Sequence, residues 1–272
     1  LAGQVPREAR PGLVLLAVKS GATADAAGEL GAVLPAGTLV VSMQNGVTNA
    51  ATAHRAAPAL HVLPGMVPYN VAELGPGHFH RGTTGMLAAQ DEAALRPWAA
   101  PFAAAGLPLA LHADLRPVQW GKLLLNLNNP VNALSGLPLR DELLERGYRR
   151  CLAALMAETL AVLAAAGIAP AKVSAVAPGV LPSLLCLPTP LFRLIAASML
   201  RIDAKARSSM ADDLARGRTT EIDALCGAVV ELARSHGREA PLNRRMVELL
   251  AEPAKVRAMA PGALLKALGL GC

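Results

Sequence analysis

Over the first hundred residues, short apolar runs alternate with amphipathic stretches. Residues 13–18, L-V-L-L-A-V, are continuous and rich in branched side chains, the pattern of a strand buried on both faces. Residues 23–34 read as a helix closed by Pro35-Ala36-Gly37, residues 38–43 as a second strand, 47–56 as a helix and 61–66 as a third strand. That β-α-β alternation predicts a parallel sheet with crossover helices. From residue 75 to 88 the pattern changes. Gly75, Gly77, Gly82 and Gly85 punctuate short runs that suit antiparallel strands at a sheet edge. Residues 91–105 read as a helix and 107–111 as the last strand.

After Asp114 strand patterns cease. Residues 118–134, 141–166, 206–235 and 242–251 all read as helices, which predicts an α/β domain over 1–113 and an all-α domain over 114–272. Residues 176–200 are apolar enough to suggest a membrane span, but they hold Pro178, Pro182, Pro188, Pro190 and Arg193. A spanning helix must satisfy its own backbone, so a buried, broken connection between helices is expected instead. An open α/β dinucleotide domain starts with a strand, a G-x-G-x-x-G turn and a helix. No such motif precedes the first strand. The sheet is therefore expected to begin in its middle, without its first β-α-β portion, and the initial Leu suggests a start inside a longer gene product.

Composition narrows the function. Apolar residues make up 53% and charged residues 17%, so a sizeable core is expected and disorder is not. The net charge is +6, but Arg7, Arg55, Arg81, Arg116 and Arg140 are scattered. A nucleic-acid footprint would be clustered, so an anionic small molecule or plain solubility fits better. Cys151, Cys186, Cys226 and Cys272 form no C-x-x-C pair, and the six histidines do not pair at metal-ligand spacing. Neither a metal site nor a disulfide framework is expected, and a reducing cytoplasm is the default. The opening L-A-G-Q-V-P-R-E-A-R lacks the apolar core of a signal peptide. Motifs of serine hydrolases, zinc proteases and P-loop NTPases are missing as well.

The candidate chemistry sits in three places. Lys19 and Gln44-Asn45-Gly46 follow successive predicted strands, where ligands sit in open α/β sheets. Lys19 is either a solvent-exposed strand end or a contact for a cofactor or substrate anion. The Gln-Asn-Gly tip is either a tight turn or an amide near a nicotinamide and a reacting carbonyl. In Trp120-Gly121-Lys122-Leu-Leu-Leu-Asn126-Leu-Asn128-Asn129-Pro130, Lys122, Asn126 and Asn129 are spaced to share one helix face. Polar groups on a Leu-rich helix need partners, from a ligand pocket or a buried structural network. A lysine suits carbonyl reduction, since it polarises the ketone oxygen and donates a proton as the alkoxide forms. Partial burial would lower its pKa toward the useful range. In residues 206–223, a helical reading aligns Ser209, Asp213 and Arg216 on one face, and Asp213, Gly217 and Glu221 at four-residue steps. This stretch is either a substrate grip or a solvated charged face.

In order, the segments A-V-K-S at Lys19, M-Q-N-G at Asn45, W-G-K-L-L-L-N at Lys122, the 206–223 stretch, and A-R-S-H-G-x-x-x-P-x-N through Asn243 resemble the ketopantoate reductase (2-dehydropantoate 2-reductase) family. The resemblance covers essentially the whole chain. It implies a Rossmann-like NAD(P)-binding domain, a helical substrate-binding and dimerisation domain, and an active site in the cleft between them. It also implies NADPH-dependent reduction of 2-dehydropantoate to (R)-pantoate, on the route to pantothenate and coenzyme A. By the same resemblance Lys122 is the catalytic acid, Glu221 holds the substrate hydroxyl, Ser209 its carboxylate, and Asn126 is a substrate-binding amide. Lys19 and Asn45 lie near the nicotinamide end of the cofactor. The segment from Lys122 to Pro138 is one residue shorter than in well-known members, which brings Asn129 to the place of a second substrate-binding Asn. Two other functions compete: a paralogous reductase of another small 2-keto acid, and a non-catalytic binding or dimerisation module. The implied partners are a small anionic 2-keto acid and, since such helical domains can pair, a second copy of the chain. Neither a nucleic acid nor a membrane is expected.

Overall fold

The structure is a computed structural model that describes residues 6, 8, 10–69, 71–81, 85–197, 200, 203, 205–252 and 256–271. It divides into two compact units, Leu1–Gln119 and Trp120–Cys272.

The first unit is α/β. Its elements in chain order are β1 (Val14–Leu16), α1 (Thr23–Val33), β2 (Leu39–Ser42), α2 (Asn49–Ala56), β3 (His61–Met66), β4 (Val71–Gly75), β5 (His78–Arg81), β6 (Leu87–Gln90), α3 (Ala99–Ala104) and β7 (Leu109–His112). Five strands form one sheet in the order β1-β2-β3-β6-β7. β1, β2 and β3 are parallel, with Val14 opposite Val40 and Val40 opposite Val62. Val40, Ala27, Leu34, Ala53 and Ala57 bury one side of β2. Val41, Met43, Leu63, Ala89 and Leu95 bury the other. Cover on both faces is why these strands read as unbroken apolar runs rather than alternating ones.

Two expectations in this unit are corrected. The region from 75 to 88 does not simply edge the sheet. β4 and β5 pair only with each other, antiparallel. β6 lies inside the main sheet, antiparallel to β3 and parallel to β7. Ala88 and Ala89 are small and buried, as an interior strand requires. Gly82 lies outside the described residues. The helix expected over 91–105 begins only with a 3-10 turn at Arg96–Trp98 and becomes α3 at Ala99. Ahead of it Arg96 clamps the Asp91 carboxylate at 2.8 Å.

α4 (Arg116–Asn126) leads into the second unit, where no described residue is in a strand. There follow α5 (Asn128–Ser135), α6 (Leu139–Leu144), α7 (Arg146–Ala165), α8 (Leu181–Leu185), α9 (Thr189–Ile195), α10 (Ser209–Ala215), α11 (Ala228–Ser235), α12 (Pro241–Leu250) and α13 (Pro261–Ala267). Three of the long helices read from the sequence are each broken once or more, for identifiable reasons. Pro130 would clash with the Asn126 carbonyl in a continuous helix, so α4 stops at Asn126 and Pro130 enters the first turn of α5. Glu145 is extended between α6 and α7. The Arg149 side chain takes up the Leu143 and Leu144 carbonyls at that break, at 2.8 and 3.1 Å. Gly217, at φ +64°, ends α10. The amides of Gly217 and Arg218 return to the carbonyls of Leu214 and Asp213 at 3.0 and 2.8 Å, a Schellman closure. A π-helical turn at Asp223–Gly227 then runs into α11.

Among the described residues no helix is long and apolar enough to cross a membrane. The proline-rich connection is broken, as expected, into α8 and α9, but it is not wholly buried. Leu185 and Phe192 are enclosed while Leu194 and Ile195 stand 77% and 56% exposed.

Candidate functional site

In the first unit the carboxyl ends of β1 and β2 are tied together by a polar network. The Gln44 amide donates to the Val18 carbonyl at 2.8 Å and to the Thr23 hydroxyl at 2.7 Å, while its oxygen accepts from Ser42 at 2.7 Å. Thr23 donates to Asn49, and Asn49 in turn donates to Ser20 and to the Asn45 carbonyl. Gln44 is only 6% exposed and already committed, so it is a clip between loops. The residues presented by those loops are Lys19, which is exposed, and Asn45, which is half-buried. Gly46 provides the left-handed backbone, φ +89°, that turns the chain after Asn45. The result is a polar, preformed pair of strand ends carrying one cation and one amide, a donor set suited to a polar anionic cofactor.

In the second unit Lys122 occupies α4. Its neighbour Gly121 lies where a Cβ would collide with the Ala171 carbonyl, so the 171–173 segment packs directly on this turn of the helix. Trp120, Leu123 and Leu124 are buried around it. Burial pushes the Lys122 ammonium down to about 8, against the opposing pull of the Glu221 carboxylate, which favours the charged form. Lys122 and Glu221 are thus within electrostatic reach across nearly a hundred residues of sequence. Glu221 is half-buried between the end of α10 and the π-helical turn.

The helical-face arguments need correction. Lys122 and Asn126 do share α4, one turn apart, but Asn129 belongs to α5. Asp213, Gly217 and Glu221 do not follow one another on a helix, because α10 ends at Ala215. Tertiary contacts supply what periodicity did not. Ser208 caps α10, accepting from the Ala211 amide at 3.1 Å. The Ser208 hydroxyl also donates to the Asn129 carbonyl at 3.2 Å, and its amide donates to Asn132 Oδ1 at 2.9 Å. This joins the start of α5 to the start of α10, so Asn129 and the exposed Ser209 are held by one set of bonds. Asn126, half-buried, closes α4 just ahead of it.

Beneath α5 lies a layer that the sequence reading overlooked. Asn128 donates to Glu142, which is 0% exposed, at 3.1 Å. Arg149, also 0% exposed, donates to the carbonyls of Leu143, Leu144, Leu185 and Leu187 and to the Thr189 hydroxyl, and it stacks over Phe192 at 4.3 Å. The available signal was a carboxylate and a guanidinium on otherwise apolar helix faces. Asn243, which closes the last matched motif, secures the start of α12: its backbone and side-chain amides both donate to Glu158 at 2.8 Å.

Among the described residues no group of three His, Cys, Asp or Glu could hold a metal ion. Burial pushes the Cys151 thiol up to about 12 and Cys226 higher still, so neither is a nucleophile. Cys186 is exposed, and Cys272 lies outside the described residues.

Known proteins match both units. The family model described as "Ketopantoate reductase PanE/ApbA" matches residues 4–91, and "Ketopantoate reductase PanE/ApbA C terminal" matches residues 114–254. The chain is 32% identical over 246 residues to a 2-dehydropantoate 2-reductase of Halobacterium salinarum, covering 88% of this chain and 74% of that one. The crystal structure of a PanE/ApbA family ketopantoate reductase from Ralstonia eutropha superposes with a TM-score of 0.73 at 32% identity, covering 89% of this chain and 75% of that one. A D-mandelate dehydrogenase solved with NADH and anilino(oxo)acetate shares the fold, with a TM-score of 0.74 at 19% identity over 94% of this chain and 80% of its own.

Proposed function

The chain belongs to the ketopantoate reductase family, and from that premise we propose that it reduces 2-dehydropantoate to (R)-pantoate with NADPH, Lys122 serving as the acid. The observation that carries this reading is the state of Lys122: an ammonium in a mostly apolar helix turn, brought down to about 8 by burial, with the Glu221 carboxylate facing it. A general acid works best with a pKa near the working pH. At pH 7 a group near 8 is still about nine-tenths protonated, yet gives up its proton more readily than an ordinary lysine.

A nicotinamide cofactor supplies the hydride when bound; the proton is left to this chain. Lys122 hydrogen-bonds the ketone oxygen, favours the negative charge that grows there, and transfers its proton to that oxygen. Glu221 holds the substrate hydroxyl and keeps Lys122 charged. Ser209 takes the substrate carboxylate, and Asn126 and Asn129 hold the remaining polar atoms. Lys19 and Asn45, on the clipped strand ends, are the residues that would hold the nicotinamide end of the cofactor. Residues 1–113 accordingly bind cofactor, and 114–272 bind substrate and mediate pairing into a homodimer.

The test is NADPH oxidation by the full-length protein with 2-dehydropantoate beside a panel of small 2-keto acids, repeated with NADH. The expected result is the highest kcat/KM for 2-dehydropantoate with NADPH. A higher value for another 2-keto acid would assign a paralogous activity. Near-normal turnover by Lys122→Ala would remove Lys122 from the mechanism.

A further inference from the structure

The side chains of Glu142 and Asn128 meet at one hydrogen bond under the first turn of α5. Glu142 is wholly enclosed. Its Oε2 accepts from Asn128 Nδ2 at 3.1 Å. Neither Glu142 Oε1 nor Asn128 Oδ1 has a hydrogen-bond partner. If Glu142 were ionised, those two buried acceptors would stay unmet and the enclosed charge would rest on the Asn128 amide and on the Asn132 amide, whose own 3.0 Å bond goes to the Leu137 carbonyl. Each unmet acceptor is costly, and an unpaired buried charge more so. One proton on Glu142 Oε1 removes both faults, because the acid O–H then donates to Asn128 Oδ1 while the Asn128 amide donates to Oε2. The carboxyl and carboxamide close into a ring of two hydrogen bonds.

We propose that Glu142 stands as a neutral carboxylic acid, locked to the Asn128 amide in this ring, and that the ring positions the ends of α5 and α10 that carry Asn129 and Ser209. The second half rests on the reading of those two residues as substrate contacts. The route is short. Asn128 and Asn129 are adjacent at the start of α5. Asn129 and Asn132 hold Ser208, and Ser208 holds the first turn of α10.

The surroundings favour the acid form. Burial raises Glu142 to about 8, opposed by the Asn128 and Asn132 amides and by the Arg149 charge. Arg149 is the cation facing it from α7, but its guanidinium hydrogen bonds go to backbone carbonyls and Thr189. Tyr148 and Cys151 also face Glu142 from α7, and burial above all holds both of them in their neutral forms, so neither brings a charge to it. Because burial raises the folded-state value, the ring is intact at neutral pH and is lost as pH climbs through about 8.

Infrared difference spectra of the wild type against Glu142→Gln test the protonation directly. A carboxylic-acid carbonyl band should be present in the wild type at neutral pH, absent from the variant, and lost at alkaline pH. No such band would overturn the proposal. Glutamine reproduces both bonds of the neutral acid and cannot ionise, so KM of the wild type should rise relative to that of the variant as pH climbs. Lys122 titrates in both proteins, so the readout is the ratio of their KM values, expected to grow at least about threefold between pH 7 and 9.5, with the kcat ratio nearly constant. This corresponds to about 0.7 kcal/mol of lost binding. A constant KM ratio would overturn the positioning role. Should no 2-keto acid be turned over, the proposed function fails separately. The backbone amide signals of Asn129 and Ser208 then decide, since they must titrate in the wild type and not in Glu142→Gln.

Discussion

Holding Lys122 as a half-buried ammonium has a stability cost that can be measured. The lowering from its ordinary 10.5 to about 8 corresponds to about 3 kcal/mol, at about 1.4 kcal/mol per tenfold change in proton affinity. The sign follows from linkage. Between pH 8 and 10.5 the unfolded chain binds the proton more tightly than the folded one, so stability rises with pH across that window. Below 8 the full cost is present, and above 10.5 it vanishes. Lys122→Met keeps most of the apolar stem and removes the charge. It should therefore raise the unfolding free energy at pH 7 by roughly 1–3 kcal/mol, the lower end reflecting the lost cation beside Glu221, while cutting kcat by about 10²–10⁴. Lys122→Met/Glu221→Gln removes that residual penalty and should reach the upper end. Urea unfolding at pH 7, 8, 9 and 10 gives the answer. The advantage of the variant should shrink by about 1.4 kcal/mol per pH unit above pH 8. Single and double variants both less stable than wild type at pH 7, or an advantage that does not change with pH, would refute the reasoning.

Other perturbations address the scaffold. Arg149→Met leaves four carbonyls, two of them buried, without the guanidinium, at about 1–3 kcal/mol for each buried one, so chemical denaturation should show a loss above about 2 kcal/mol; a loss under 1 would mean the carbonyls find other donors. Arg149→Lys, with three donors on a point charge, should recover only part of it. Ser208→Ala removes the α10 cap and should cost about 1 kcal/mol, with a higher KM for 2-dehydropantoate; an unchanged KM would detach Ser208 from the substrate grip. Gly121→Ala would gain about 1 kcal/mol in a free helix, but the Ala171 carbonyl blocks the new methyl. A lower melting temperature is expected, and a higher one would show that the 171–173 segment yields easily.

Much of the α/β unit was legible because its strands are short, apolar and separated by turn residues. β3 spans His61–Met66 as read. The place of β6 was not legible: nothing local distinguishes a strand inserted antiparallel beside β3 from one at an edge. In the helical unit most of the helix was recognisable, but α13 was not read, residues 216–221 are not helical, and the breaks were not placed. The signals at Pro130 and Gly217 stood in the sequence, and each is a rule of backbone geometry. The break at Glu145 was illegible, since it depends on the side chain of Arg149 reaching carbonyls of α6, of α8 and of the turn after α8. The same limit applies to the site. Lys122 and Asn126 could be paired by helical spacing, whereas the nearness of Lys122 to Glu221, and of Asn129 to Ser208, exists only after tertiary packing.

The two serines at the head of α10 divide their labour. Ser208 is buried and spends its hydroxyl and amide on the fold, while Ser209 is exposed beside it. Substitutions at these adjacent positions should therefore differ in cost to the fold, large at 208 and small at 209. With Ser209 on the substrate carboxylate, as proposed, a change at 209 would alter recognition without loosening the helix beneath it, and an engineer could explore new anionic ligands by single steps there while 208 stays fixed.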